Sequence, residues 1–239
     1  MKWAFYILSI LSFQCIHASE KVTFLAGDGL RITADVYIEN KNNPFIILLH
    51  QANYSRGEYI DIAPRLVKLG FNCMAIDLRA GNKINFVENE TAELARLQQK
   101  ANTLYDAKAD IEAAIRFVRG YTQYPVILLG SSYSASLSLV VAAQNNQVEA
   151  VVAFSPGEYF SPDKFVKDEI KGLKKPLFIA SSEHDFLYIS AMLADIPIEF
   201  KTFYTSDGES VQGAKALWPD QNNSEECWFN LILFLNKFK

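Results

Sequence analysis

The residue best placed for covalent chemistry in this chain is Ser132. It lies in Gly130-Ser131-Ser132-Tyr133-Ser134, after the apolar run Ile127-Leu128-Leu129 and ahead of a segment rich in small residues. A buried strand that turns sharply into a helix lifts a central serine hydroxyl above the sheet. The helix N-terminus beneath it favours developing negative charge. The usual spacing for such an elbow is G-x-S-x-G; here Ser134 takes the last glycine's place and is still small enough for strand and helix to pass closely. A serine hydroxyl is a poor nucleophile until a base takes its proton. The sequence offers only three histidines for that task, His17, His50 and His184.

These residues need elements to position them, and the pattern supplies a regular series. Residues 21–38 read as a hairpin around the turn Gly27-Asp28-Gly29. Residues 45–49 form a continuous apolar run, as a strand buried on both faces requires. Helical spacing follows over 59–69, then a strand at 71–76 and a long polar insertion at 82–105. The alternation resumes with helix 106–119, strand 126–129, helix 135–144 and strand 148–154. Strand 176–180, helix 186–194, strand 198–204 and a last helix at 225–238, capped by Ser224, complete it. Strand–helix alternation over this length predicts an α/β fold, a mostly parallel sheet covered by helices on both faces.

With the elbow and these segments in place, the chain resembles the α/β-hydrolase superfamily. The likeness is to dienelactone-hydrolase-like and serine-aminopeptidase or monoglyceride-lipase-like members, and it extends over essentially all of residues 19–239. Leu48-Leu49-His50-Gln51-Ala52 resembles the L-x-H-G-x segment after the family's third strand. Leu69-Gly70-Phe71, with Asp77-Leu78-Arg79 and Gly81, resembles its "GY…DLRGHG" stretch. The resemblance implies Ser132 as nucleophile and the backbone N–H groups of Tyr133 and Ala52 as the oxyanion hole. It implies a structural role for His50, pinning its loop through the ring nitrogens. In Ser181-Ser182-Glu183-His184-Asp185 it implies Asp185 as the acid that orients the base, with Glu183 as the fallback. Asp185 could equally cap the helix that follows.

The family places a His-Gly pair after its last strand, and here Gln212-Gly213 occupies that position. A glutamine can donate or accept a hydrogen bond, but it takes no proton at ordinary pH. His184 could serve only by approaching from the acid's own loop. An oxyanion hole and binding alone can still leave roughly 10³-fold catalysis. The expected reading is an esterase-like serine hydrolase with an incomplete triad; the alternative is a pseudoenzyme that keeps the pocket for a ligand or partner. The expected partner is a small-molecule acyl substrate or ligand. Residues 157–172 form a short stretch where larger relatives carry a lid, so a minimal lid and a wide entrance are expected.

Composition sets the remaining bounds. The chain has 239 residues, half of them hydrophobic, enough for one large core. A net charge of −4 without a basic block argues against nucleic acid. Lys2, an apolar run to Phe13 and the exit ending at Ala18 have the form of a secretory signal over residues 1–18. That run is shorter than the roughly 20 residues of a membrane span, so a secreted or periplasmic protein is expected, with no span after cleavage. Cys73 and Cys227 lack zinc-ligand spacing and are expected as buried thiols; whether they pair is not legible in the sequence. No metal or cofactor is expected. Asn53-Tyr54-Ser55, Asn89-Glu90-Thr91 and Asn222-Asn223-Ser224 have the N-glycosylation pattern.

Overall fold

The computed structural model describes residues 19–206 and 211–239; the expected leader, residues 1–18, lies outside them. Eight strands form one sheet: β1 (Glu20–Leu25), β2 (Arg31–Tyr37), β3 (Phe45–Leu49), β4 (Asn72–Ile76), β5 (Val126–Ser131), β6 (Val148–Phe154), β7 (Leu177–Ser182) and β8 (Lys201–Ser206). Their spatial order is β1-β2-β4-β3-β5-β6-β7-β8. The β1–β2 and β2–β4 pairs are antiparallel, and every pair from β4 through β3 to β8 is parallel. This is the mostly parallel sheet that the alternation predicts, in the α/β-hydrolase arrangement that the resemblance implies.

Helices cover both faces of the sheet, because side chains of a buried strand leave it alternately. Leu128 of β5 packs with α3 (Lys108–Val118), α4 (Tyr133–Gln144) and α6 (Glu183–Met192). Its neighbours Ile127 and Leu129 pack on the other face, with α1 (Ile62–Lys68) and α7 (Ser224–Leu235). Cys73 and Cys227 belong to that second cluster and are free, buried thiols.

Several boundaries differ from the sequence reading. The helix expected at 59–69 is a 3-10 turn, Arg56–Tyr59, followed by the separate α1. The polar insertion contains a helix, α2 (Glu90–Leu97), capped by the Asn89 side chain, which accepts from the Ala92 N–H. Asn89 is buried and its amide nitrogen meets His50 Nε2, Tyr54 O and Leu78 O, so its sequon is structural. Ser224 is the first residue of α7, and Asn223 stands at the cap position. The short α5 (Phe165–Glu169) is the one helix in residues 157–172, the stretch where a lid would stand.

Candidate active site

The parallel register Leu49↔Gly130 sets the ends of β3 and β5 side by side. The loop 50–52 and the elbow 131–133 therefore emerge together at the carboxyl edge of the sheet. Ser132 has φ 58° and ψ −122°, a left-handed conformation that costs a non-glycine residue about 1–3 kcal/mol and must be imposed by its surroundings. They are in evidence: the Ser132 N–H donates to Phe154 O at 2.8 Å, and the Ala135 N–H donates to Ser132 O at 3.0 Å. A Cβ on Gly130 would lie 2.5 Å from Ala135 Cα, so only glycine lets strand and helix approach this closely. Ser132 itself is 7% exposed.

Ser134 does more at the last glycine position than remain small. Its Oγ accepts from the Ser131 N–H at 2.9 Å and donates to Leu49 O at 2.7 Å, tying the elbow to the end of β3.

Gln212 reaches Ser132. Its Nε2 lies 3.1 Å from Ser132 Oγ and 3.3 Å from the Tyr159 hydroxyl. Gly213, with φ +76°, carries the segment past the sheet; a Cβ there would lie 2.3 Å from Ser131 Oγ and 2.9 Å from Gln51 Oε1. The glycine of the pair thus meets a steric demand, whereas the residue before it contributes hydrogen bonding. An amide in either rotation can share a proton with Ser132 but cannot keep it.

The expected acid, Asp185, opens a helix, and its carboxylate acts electrostatically on Tyr159. β7 runs on to Ser182, and Glu183 and Asp185 fall in the first turn of α6 instead of in a loop. Ser182 caps the helix, and its hydroxyl holds Asp185: Oγ accepts from the Asp185 N–H at 2.9 Å and donates to Asp185 Oδ2 at 2.7 Å. Asp185 Oδ1 meets His184 Nδ1 at 3.2 Å, with the two side chains 52% and 95% exposed. The Ser182 hydroxyl, then His184, hold the Asp185 carboxyl below its usual pKa. Among the described residues Asp185 is hydrogen-bonded to neither Gln212 nor Ser132, and His184 meets Asp185 alone. Glu183 is exposed.

On the other side of Ser132, His50 is fully buried, with Nδ1 2.8 Å from Gln51 O and Nε2 accepting from the Leu78 N–H at 2.9 Å. Burial lowers its pKa to about 4, so it stays neutral and holds the loop that presents Ala52. Tyr133 opens α4, where first-turn N–H groups have no partner within the helix. A cavity of about 330 Å³ adjoins Ala52, and one of about 200 Å³ lies behind Gly213 at the ends of β6, β7 and β8. Among the described residues no His, Cys, Asp and Glu group is arranged to hold a metal, and no helix is long and apolar enough to cross a membrane.

The sequence reading missed Tyr159 and Glu58. Tyr159 OH donates to Ser155 O at 3.0 Å while meeting Gln212; burial raises its pKa, and hydrogen bonds to Ser132 and Gln212 oppose that rise. It lies in an irregular stretch with no periodicity to mark it. Glu58 sits in the 3-10 turn after β3, where an acidic residue ordinarily reads as surface.

A profile of the dienelactone hydrolase family matches residues 32–204 and ends ahead of the Gln212 segment. No curated protein matches the chain. Among solved structures, an esterase of Pyrococcus furiosus superposes with a TM-score of 0.70 at 15% identity, covering 93% of this chain and 91% of that one. A dienelactone hydrolase from Anabaena variabilis gives 0.66 at 15% identity, over 92% and 99% of the two chains. An α/β hydrolase from a Penicillium species gives 0.68 at 13%, over 92% and 98%. At these identities the structural likeness establishes the fold.

Proposed function

The chain belongs to the dienelactone hydrolase family, and from that membership we propose that it is an exported, esterase-like protein that takes a small acyl ester at Ser132 and turns it over slowly. The observation that carries this is the 3.1 Å contact from Gln212 Nε2 to Ser132 Oγ. An elbow strained to present its hydroxyl is the investment of a nucleophile; a glutamine in the base position withholds the proton acceptor. Attack on an ester carbonyl would place the new oxyanion toward the N–H groups of Tyr133 and Ala52, whose stabilisation does not depend on a base. The Ser132 proton would have to leave for water or the departing alkoxide, and that is the slow step. Export rests on the form of residues 1–18.

A second reading, a pocket kept for binding with turnover lost, is favoured by the engagement of Asp185 in the cap of α6. One experiment separates the two: hydrolysis of short p-nitrophenyl esters by wild type, Ser132→Ala and Gln212→His, with a fluorophosphonate probe for Ser132. Slow release that disappears in Ser132→Ala and rises about 10- to 100-fold in Gln212→His is expected, a partial gain because the Asp185 carboxylate is already engaged by Ser182 and His184. A silent wild type that takes no probe, with an active Gln212→His, establishes the second reading. Release unchanged in Ser132→Ala refutes the nucleophile.

A further inference from the structure

Glu58 is 0% exposed and lies beside the elbow, yet no arginine, lysine or histidine is bonded to it among the described residues. A buried carboxyl without a cation is costly, so its remaining contacts are informative. Oε2 accepts from the Gln51 N–H at 2.8 Å, and Oε1 accepts from Ser131 Oγ at 2.7 Å. Ser131 Oγ in turn accepts from the Ala214 N–H at 2.8 Å. Gln51 precedes the expected oxyanion donor Ala52, Ser131 precedes the nucleophile, and Ala214 is two residues from Gln212. Two segments of the site therefore meet at one carboxyl, and a third joins them through the Ser131 hydroxyl.

We propose that Glu58 is a positioning residue, whose carboxylate aligns the oxyanion loop, the elbow and the Gln212 segment through the Gln51 N–H and the Ser131 hydroxyl. This rests on Ser132 being the reactive group. In the carboxylate state the hydrogen bonds run one way, from Ala214 N–H to Ser131 Oγ and from Ser131 O–H to Glu58 Oε1. Both bonds to the carboxylate are charge-assisted, hence short and strong. In the acid state Oε2 is already committed as acceptor from Gln51, so the proton sits on Oε1 and donates to Ser131 Oγ. That hydroxyl then receives two donors, and its own hydrogen must turn away from Glu58.

Burial raises the Glu58 pKa to about 7, against the hydrogen bonds from Ser131 and Gln51, so the two states exchange near neutrality. The titratable groups facing it are the phenols of Tyr59 in its own turn and Tyr133 on α4, both held neutral by burial. The loop after β3 adds His50, also neutral above about pH 4. Among the described residues β5 contributes only Ser131 at the carboxyl, Ala214 of the Gln212 segment bonds that serine's Oγ, and Trp218 donates to the Glu58 backbone oxygen.

The test follows the amide resonances of Gln51 and Ala214 through a pH titration, together with the rate at which a fluorophosphonate labels Ser132. In wild type both amides should shift with one midpoint near pH 7. Labelling should rise about tenfold through the same midpoint and then level off, unlike the continuous climb of hydroxide-driven reaction. Glu58→Gln, isosteric and neutral, should lose both amide titrations and the labelling step. Ser131→Ala should keep the Gln51 titration and lose that of Ala214. Amides that do not titrate, or that still titrate in Glu58→Gln, or labelling without the step, overturn the proposal. If the amides behave as expected but Ser132 takes no probe at any pH, the coupling through Glu58 stands and the reactive-serine reading fails.

Discussion

Replacing Ser134 by glycine would write the usual elbow motif into this chain, and the structure indicates that it would destabilise the protein. The Ser134 hydroxyl is the acceptor for the Ser131 N–H, which is buried beneath the nucleophile. Removing it leaves that donor unpaired, at about 1–3 kcal/mol. The hydroxyl's other partner, Leu49 O, keeps the Tyr59 phenol at 2.7 Å and so stays satisfied. Glycine in place of serine inside α4 adds roughly 0.5 kcal/mol of helix propensity. The sum is about 1.5–3.5 kcal/mol, and at about 2–4 °C per kcal/mol for a domain of this size the thermal midpoint should fall by about 3–14 °C. Ser134→Ala should lose the hydrogen-bond share alone and fall between the glycine variant and wild type. Thermal and urea unfolding of the three proteins measures this directly. A glycine variant within about 0.5 kcal/mol of wild type would show that the Ser131 N–H has another partner, and the argument that Ser134 ties the elbow to β3 would fail.

Other outcomes follow from the same geometry. Asp185→Ala should cost about 0.5–2 kcal/mol through loss of the Ser182 hydroxyl's bond to its carboxylate and of a negative charge in the first turn of α6 while fluorophosphonate labelling of Ser132 stays within about twofold; a collapse of labelling with the fold intact would identify Asp185 as the orienting acid. Gly213→Ala must relax a Cβ that would sit 2.3 Å from Ser131 Oγ at φ +76°; it should lower the thermal midpoint and alter probe labelling together, and an unperturbed variant would refute the steric role given to that glycine. Glu58 has a native pKa of about 7 against an ordinary value of 4.5, so the folded state binds its proton more tightly than the unfolded chain. Its contribution is complete below about pH 4.5 and is lost as pH rises through about 7, amounting to roughly 3 kcal/mol. Glu58→Gln should therefore be the more stable protein above pH 7, by a margin that shrinks on acidification; denaturant titrations at several pH values in which the margin is constant would refute the assignment.

The fold was largely legible in the sequence, since apolar runs as short as residues 45–49 and 126–129 suit strands covered on both faces better than helices, and their alternation with helical segments points to a parallel sheet. The elbow was legible for a similar reason: Gly130, Ser132 and a run of small residues form a local pattern whose meaning depends only on the neighbouring strand and helix. A glutamine at the position where the resemblance implies a histidine was readable as well, because it is a matter of residue type at a position. What lay beyond the sequence were contacts between segments distant in the chain. Nothing local distinguishes an Asp185 held in the first turn of its own helix from one that turns toward the Gln212 segment; that depends on whether β7 stops at Ala180 or runs on to Ser182. Nothing local marks Tyr159 or Glu58, since a side chain in an irregular segment acquires its partners only when the sheet is assembled. Ser134 is the sharpest instance. By sequence it is a small residue filling a glycine's place, and only the adjacency of β3 and β5 makes its hydroxyl a tie between them. Sequence determines which chemistry each residue can perform; tertiary structure decides which of those groups meet, because hydrogen bonds and catalysis act over about 3 Å and the chain brings such groups together only by folding.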